Sequence, residues 1–267
     1  LANLCTFVWI NPDIILRYFI EFAYKGTAYH GWQFQPNAVS VQETLNKALT
    51  LMLRTPIDAT GAGRTDTGVH ARQMFAHFDC ETAFDVPTLV KKLNAYLPSD
   101  IAIFEIYPMH PDAHARFDAT KRTYEYHIHT QKNAFACSDS WYYPHPLNWE
   151  AMNDACEILK ETTDFECFSK VHTDVKTFNC NLQHAEWNLK GDQLVFTIAA
   201  DRFLRNMVRA IVGTLVNVGL GRTSKSELRT ILASKNRSQA GFSVPAHGLY
   251  LTEVHYPYIP FQERHKL

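Results

Sequence analysis

The chain has 267 residues, 46% of them apolar and 20% charged, which excludes wholesale disorder and leaves ample length for a buried core. No run of about 18 apolar residues occurs, so a membrane-spanning helix is not expected. Formal charge is −1, so the whole-chain balance gives no reason to expect a nucleic acid.

In chain order, residues 1–13 read as an N-terminal extension; the apolar patch Phe7–Ile10 follows no basic segment, so no secretory signal is expected. Arg17–Tyr24 reads as a strand and Gly26–Gly31 as a loop. Ser40 and Glu43 fit a capping box ahead of Leu45, Leu49 and Met52, which predicts a helix to about Arg54. A Gly-rich turn spans Gly61–Gly68. Gln73–Asp79 reads as a strand, Pro87–Tyr96 as a helix and Ile101–Tyr107 as a strand. Thr123–His129 alternates, with Tyr124, Tyr126 and Ile128 on one face. Trp149–Lys160 is an amphipathic helix. Phe178–Leu189 and Leu194–Ala200 flank Lys190–Gln193 as a hairpin. Arg202–Val218 reads as one long helix ended by Gly219 and Gly221, Ser224 opens another, and Gly248–His255 closes the chain as a strand. The layout is α+β, with halves at 14–112 and 113–258 and a tail at 259–267.

Charge is unevenly placed. Arg202–Arg237 holds eight Lys or Arg and one Glu, whereas Asp139–Asp174 holds eight Asp or Glu and two Lys. A basic stretch inside a neutral protein points to a local anionic partner; two solvated faces of opposite sign give the same counts. Six cysteines without C-x-x-C spacing read as reduced, mostly core thiols of a cytoplasmic protein. Pro111 spoils His110 and His114 as a helical metal pair, and no zinc or calcium spacing is found.

Three constellations could carry chemistry. The first is Gly61–Ala71, where glycines flank Arg64 and Asp66. Beside an arginine Asp66 favours its ionised form and could serve as nucleophile or base; an Asp in such a turn can also simply cap it. The second is Arg202, Arg205 and Arg209 at i, i+3 and i+7, a row suited to a phosphate backbone, with Gly213 continuing the face. Alternatively one of these arginines turns inward onto a buried carboxylate. The third is Lys121–Tyr126, where Tyr124 could stack on a base or relay a proton, and Tyr126 reads as core.

At these residues the chain resembles the tRNA pseudouridine synthase A family, in order from about Arg17 to Pro257. Gly63–Ala71 is similar to that family's signature around its catalytic Asp, with Thr67 where Ala is more usual. Ala115-Arg116-Phe117 through Lys121–Tyr124, Phe203–Arg209 with Ile211-Val212-Gly213, and Pro245-Ala246 with Gly248-Leu249 resemble three further motifs. Lys176 stands where an Arg is expected. The resemblance implies two pseudo-symmetric α/β halves sharing a continuous, mainly antiparallel sheet, with helices on one face and a central cleft. It implies isomerisation of uridine to pseudouridine at positions 38, 39 and 40 of the tRNA anticodon stem-loop, without a cofactor or metal, by a homodimer. Carried over residue by residue, Asp66 is the essential carboxylate, Arg209 its partner, and Tyr124 the group at the target base. Arg64 fills the space the flipped base leaves, and Arg202, Arg205 and Leu249 bind substrate. The rival readings are a non-catalytic RNA-binding module and a hydrolase built on Cys80 or Cys167.

Overall fold

The computed structural model describes residues 15–170 and 175–259. The expected extension 1–13 and the tail beyond Ile259 lie outside the described residues. Among those described, the strands are β1 (Leu16–Tyr24), β2 (Thr60–Gly61), β3 (His70–Cys80), β4 (Ile101–Met109), β5 (Lys121–His129), β6 (Trp141–Tyr142), β7 (Leu182–Lys190), β8 (Gln193–Ala200) and β9 (Leu249–His255). The α-helices are α1 (Val41–Leu53), α2 (Val86–Tyr96), α3 (Trp149–Lys160), α4 (Met207–Gly219) and α5 (Lys225–Ser234). No helix among the described residues is long and apolar enough to cross a membrane.

The elements follow local chemistry. Val41, Leu45, Ala48 and Leu49 line one side of α1 and are buried, as are Met152, Ala155, Cys156 and Leu159 on α3. The Ser40 hydroxyl accepts from Glu43 N, whereas the Glu43 carboxylate goes to Lys47 at 2.6 Å. On α5 the Ser224–Glu227 capping box is complete. Gly191, at φ +64°, turns the β7–β8 hairpin.

The strands form one sheet in the order β4-β1-β3-β9-β5-β8-β7, with β2 beside β3 and β6 beside β5. All pairings on the main path are antiparallel except β3 with β9, which pair in parallel through His70–Tyr250 and Ala71–Leu251. β9, the last strand among the described residues, thus lies between β3 and β5. Because β3 and β9 run the same way, the loops that precede them, 62–69 and 241–248, emerge at one end of the sheet.

Two expected elements are corrected. The strand expected from Phe178 begins at Leu182; Phe178 O accepts from Phe165 N, and Cys180 N donates to Thr163 O, which ties the segment to the end of α3 instead. The helix expected from Arg202 begins at Met207. Asn206 takes φ +66°, and Met207 N closes a turn onto Leu204 O, so 201–206 is a loop. Leu204, Val208, Ile211 and Leu215 keep helical spacing across that break, which is why the pattern reads through it.

Helix α4 is buried at eleven of its thirteen positions and runs through the core rather than along the surface. Gly213 does not extend a basic face: a Cβ there would run into Phe242 O, so the glycine lets segment 241–244 press against the helix. Gly213→Ala should push that segment off α4 and destabilise the protein by about 1–3 kcal/mol. Urea unfolding would show it as a lowered midpoint at unchanged slope.

Candidate active site

Loop 62–69 starts where Ala62 N donates to Phe75 O at 2.7 Å and closes with Val69 N on Asp66 O at 3.1 Å. Gly68 sits inside that turn at φ +82°, a conformation that disfavours other residues. The turn is therefore closed by the main-chain carbonyl of Asp66, and its side chain is left for other work. Behind the loop, Thr65 Oγ1 is bonded to the Tyr24 hydroxyl at 2.8 Å and accepts from Trp32 N at 3.1 Å. Trp32 is buried against Phe22, so the carboxylate-bearing loop is backed by core.

Arg209 is the one charged residue of α4. Its Nε donates to Val244 O at 2.7 Å and its Nη1 to Asp66 Oδ2 at 3.0 Å. Val244 N returns a bond to Arg209 O at 3.3 Å, so helix and segment are clamped on both sides of the guanidinium. The two charged side chains keep 19% and 25% of their surface, enough for a substrate to reach them. Asp66 Oδ1 has no hydrogen-bond partner among the described residues. Of the alternatives left open for the arginine row, Arg209 turns inward onto a carboxylate. Arg202 and Arg205 lie in the loop before the helix and form no row with it.

Tyr124 and Tyr126 share a face of β5 but differ in their hydroxyls. Tyr126 is fully buried and donates to Pro245 O at 2.9 Å, a core role as read. Tyr124 is 8% exposed, meets Phe203 edge-on at 5.1 Å, and its hydroxyl bonds nothing among the described residues. Burial pushes the Tyr124 phenol up to about 12; Arg122 pulls against that and Asp66 adds to it. Leu249, buried at the start of β9, pairs with Tyr126, two residues along from the Tyr124–Leu251 pair.

Beside this centre lies a group of arginines. The Arg116 guanidinium is lowered first by partial burial, then by the charges of Arg64, Arg122 and Arg202 around it. Arg64 and Arg205 are exposed, and Arg202 reaches Thr177 O at 3.3 Å. Phe117, 74% exposed, lies under the Arg116 guanidinium at 5.5 Å. Reading the sequence missed Thr65, Tyr24 and Phe117 as parts of the site. The hydroxyl of Thr65 inside a Gly-rich loop was the available signal for the first.

The cysteines do not support a hydrolase. Cys80 and Cys167 are buried, Cys80 Sγ donates to Thr82 O, and burial pushes Cys167 up to about 12. The described cysteines are free thiols, four buried and Cys137 exposed.

A carboxylate held by a guanidinium at the end of the central strands, with both side chains still partly open to solvent, is the arrangement of an enzyme active site. Residues 155–257 match the family described as tRNA pseudouridine synthase. The chain is 53% identical over 242 residues to a tRNA pseudouridine synthase A of Parabacteroides distasonis, covering 90% of this chain and 96% of the relative. It is 52% identical over 245 residues to that of Bacteroides fragilis (91% and 97%) and 36% identical over 241 residues to that of Exiguobacterium sibiricum (90% and 97%). The chain belongs to the tRNA pseudouridine synthase A family. The catalytic reading therefore stands over that of a non-catalytic RNA-binding module.

Thr65→Val keeps the shape but leaves the Trp32 amide and the Tyr24 hydroxyl without their partner. It should cost about 1–3 kcal/mol. Thermal unfolding with and without Tyr24→Phe tests this: the double variant should recover part of the loss.

Proposed function

We propose that this chain isomerises uridine to pseudouridine at positions 38, 39 and 40 of the tRNA anticodon stem-loop, with Asp66 as the catalytic carboxylate. The observation that carries the reading is the Asp66–Arg209 pair at 3.0 Å, partly open to solvent and neighboured by arginines that form no ion pair among the described residues.

The reaction breaks the bond from ribose C1′ to uracil N1 and makes one from C1′ to C5. N1 gains a proton and C5 loses one, so the change is redox-neutral and calls for no electron carrier. A uridine stacked in a stem cannot be reached, and turning it out costs about a few kcal/mol. Contacts from Arg202 and Arg205 to phosphates offset that cost, and the exposed Arg64 fills the space the base leaves. Asp66, balanced by Arg209, then either attacks C1′ or takes a proton from the sugar; both routes use Oδ1, the oxygen that Arg209 leaves uncovered. The uracil rotates between Tyr124 and Leu249 and rejoins through C5. With its phenol at about 12, Tyr124 is protonated at neutral pH. It therefore acts as a relay, passing its own proton to water or carboxylate as it accepts the one from C5.

The same reading makes the working unit a homodimer whose subunits jointly hold the tRNA, acting in the cytoplasm. Recognition rests on the shape and backbone of the stem rather than on base edges, which an A-form helix hides.

Transfer RNA carrying tritium at uracil C5 tests the chemistry, because only isomerisation releases that tritium to water. Asp66→Asn should abolish release and keep tRNA affinity within a few-fold; full activity in that variant removes Asp66 from the reaction. Tyr124→Phe should bind tRNA but stall after the glycosidic bond breaks. Since the wild-type hydroxyl ionises only near pH 12, the rate difference between wild type and Tyr124→Phe should hold constant to about pH 10. Wild-type rates in the Phe variant reject the relay.

A further inference from the structure

Arg122 is used differently from the other arginines of the site. It lies on β5 two residues before Tyr124 and is 8% exposed. Nη2 donates to Ala62 O at 2.8 Å and Arg116 O at 2.6 Å. Nη1 donates to Asp201 O at 2.8 Å and Ala119 O at 3.4 Å, and Nε to Ala62 O at 3.3 Å. All five bonds end on main-chain carbonyls and none on a carboxylate.

A guanidinium buried without an acid is costly unless each donor is satisfied. Here the satisfaction comes from backbone, so the residue joins chain segments rather than neutralising a charge. The segments have separate jobs. Ala62 opens the loop that carries Arg64 and Asp66. Arg116 and Ala119 belong to the turn that presents Arg116 and the exposed Phe117. Asp201 opens the loop of Arg202 and Arg205. A planar fork with five donors in fixed directions holds three such segments at set spacings; an ammonium, with three donors on a flexible stem, does not fix them.

The geometry points to Arg122 as a positioning residue for the isomerisation: without touching substrate, it fixes the distance between the Asp66 loop and the two loops that grip the RNA. This rests on the function proposed above. Phosphate contacts tolerate small shifts of a loop, whereas chemistry does not: misplacement by about 1 Å can cost about a hundredfold in rate. Loss of Arg122 therefore acts on the rate at saturating tRNA and spares affinity. The charge of Arg122 also acts on Tyr124, where it works against the rise caused by burial.

The test uses full-length Arg122→Lys and Arg122→Met, each assayed well below its own unfolding midpoint. Single-turnover tritium release at saturating tRNA and the tRNA Kd by filter binding are measured beside wild type. For both variants the expected result is a rate lower by about tenfold or more with Kd within about threefold. A Lys variant within about twofold of wild-type rate overturns the inference, since charge alone then suffices. Weakened binding with an intact saturating rate overturns it too, because Arg122 would then be a binding group. If the Met variant does not fold, the Lys variant still decides. Failure of wild type to release tritium would strike the proposed function, not this inference.

Discussion

The Asp66–Arg209 pair is the contact on which the site depends. It joins residues 143 apart in sequence, one from the loop before β3 and one from α4. Helix α4 is buried almost all round, so a charge on it needs a partner, and the structure supplies two: Val244 O for Nε and Asp66 for Nη1. Dividing the guanidinium this way leaves half of the carboxylate uncovered. A fully wrapped pair would be inert, and an exposed one would be screened by water and salt. The arrangement found lies between, charged and held but open on one side.

What brings these parts together is the last strand. By pairing in parallel with β3 and antiparallel with β5, β9 sets loop 62–69, segment 241–248 and Tyr124 around one end of the sheet. None of these contacts is local, so none forms before β9 is in place. Gly213 matters for the same reason: the segment leading into β9 reaches Arg209 only because the helix carries no side chain beneath Phe242.

The parts of the fold with a local code were legible. The helix start at Ser224, the hairpin at Gly191, the alternation of β5 and the apolar stripes of α1 and α3 each rest on residues within one or two turns of each other, whereas the capping box expected at Ser40 is left half made because Glu43 turns to Lys47. The start of α4 was not, because Leu204 continues the apolar spacing and only the left-handed conformation of Asn206 ends it. Asp66 stood out through its glycines, but its pairing with Arg209 came from family resemblance, since spacing carries no information about contacts so far apart. The role of Arg122 was hidden for a different reason. Its partners are main-chain carbonyls, and a carbonyl looks the same in every residue.

The charge pattern shows how a neutral protein can present a cationic site. The acidic and basic segments that balance in the sequence meet across the outer helices, where Lys225 pairs with Asp154, Arg229 with Glu161 and Lys235 with Asp164. These exposed pairs add little stability, but they balance three of the five basic residues in the later half of the basic stretch, Lys225, Arg229 and Lys235. The side chains of Arg64, Arg116, Arg202 and Arg205 form no ion pair among the described residues, and Arg122 adds a buried charge that carbonyls satisfy without cancelling. Nearby charges therefore act on an anionic group at this end of the sheet with little screening, while the distant balance is screened out.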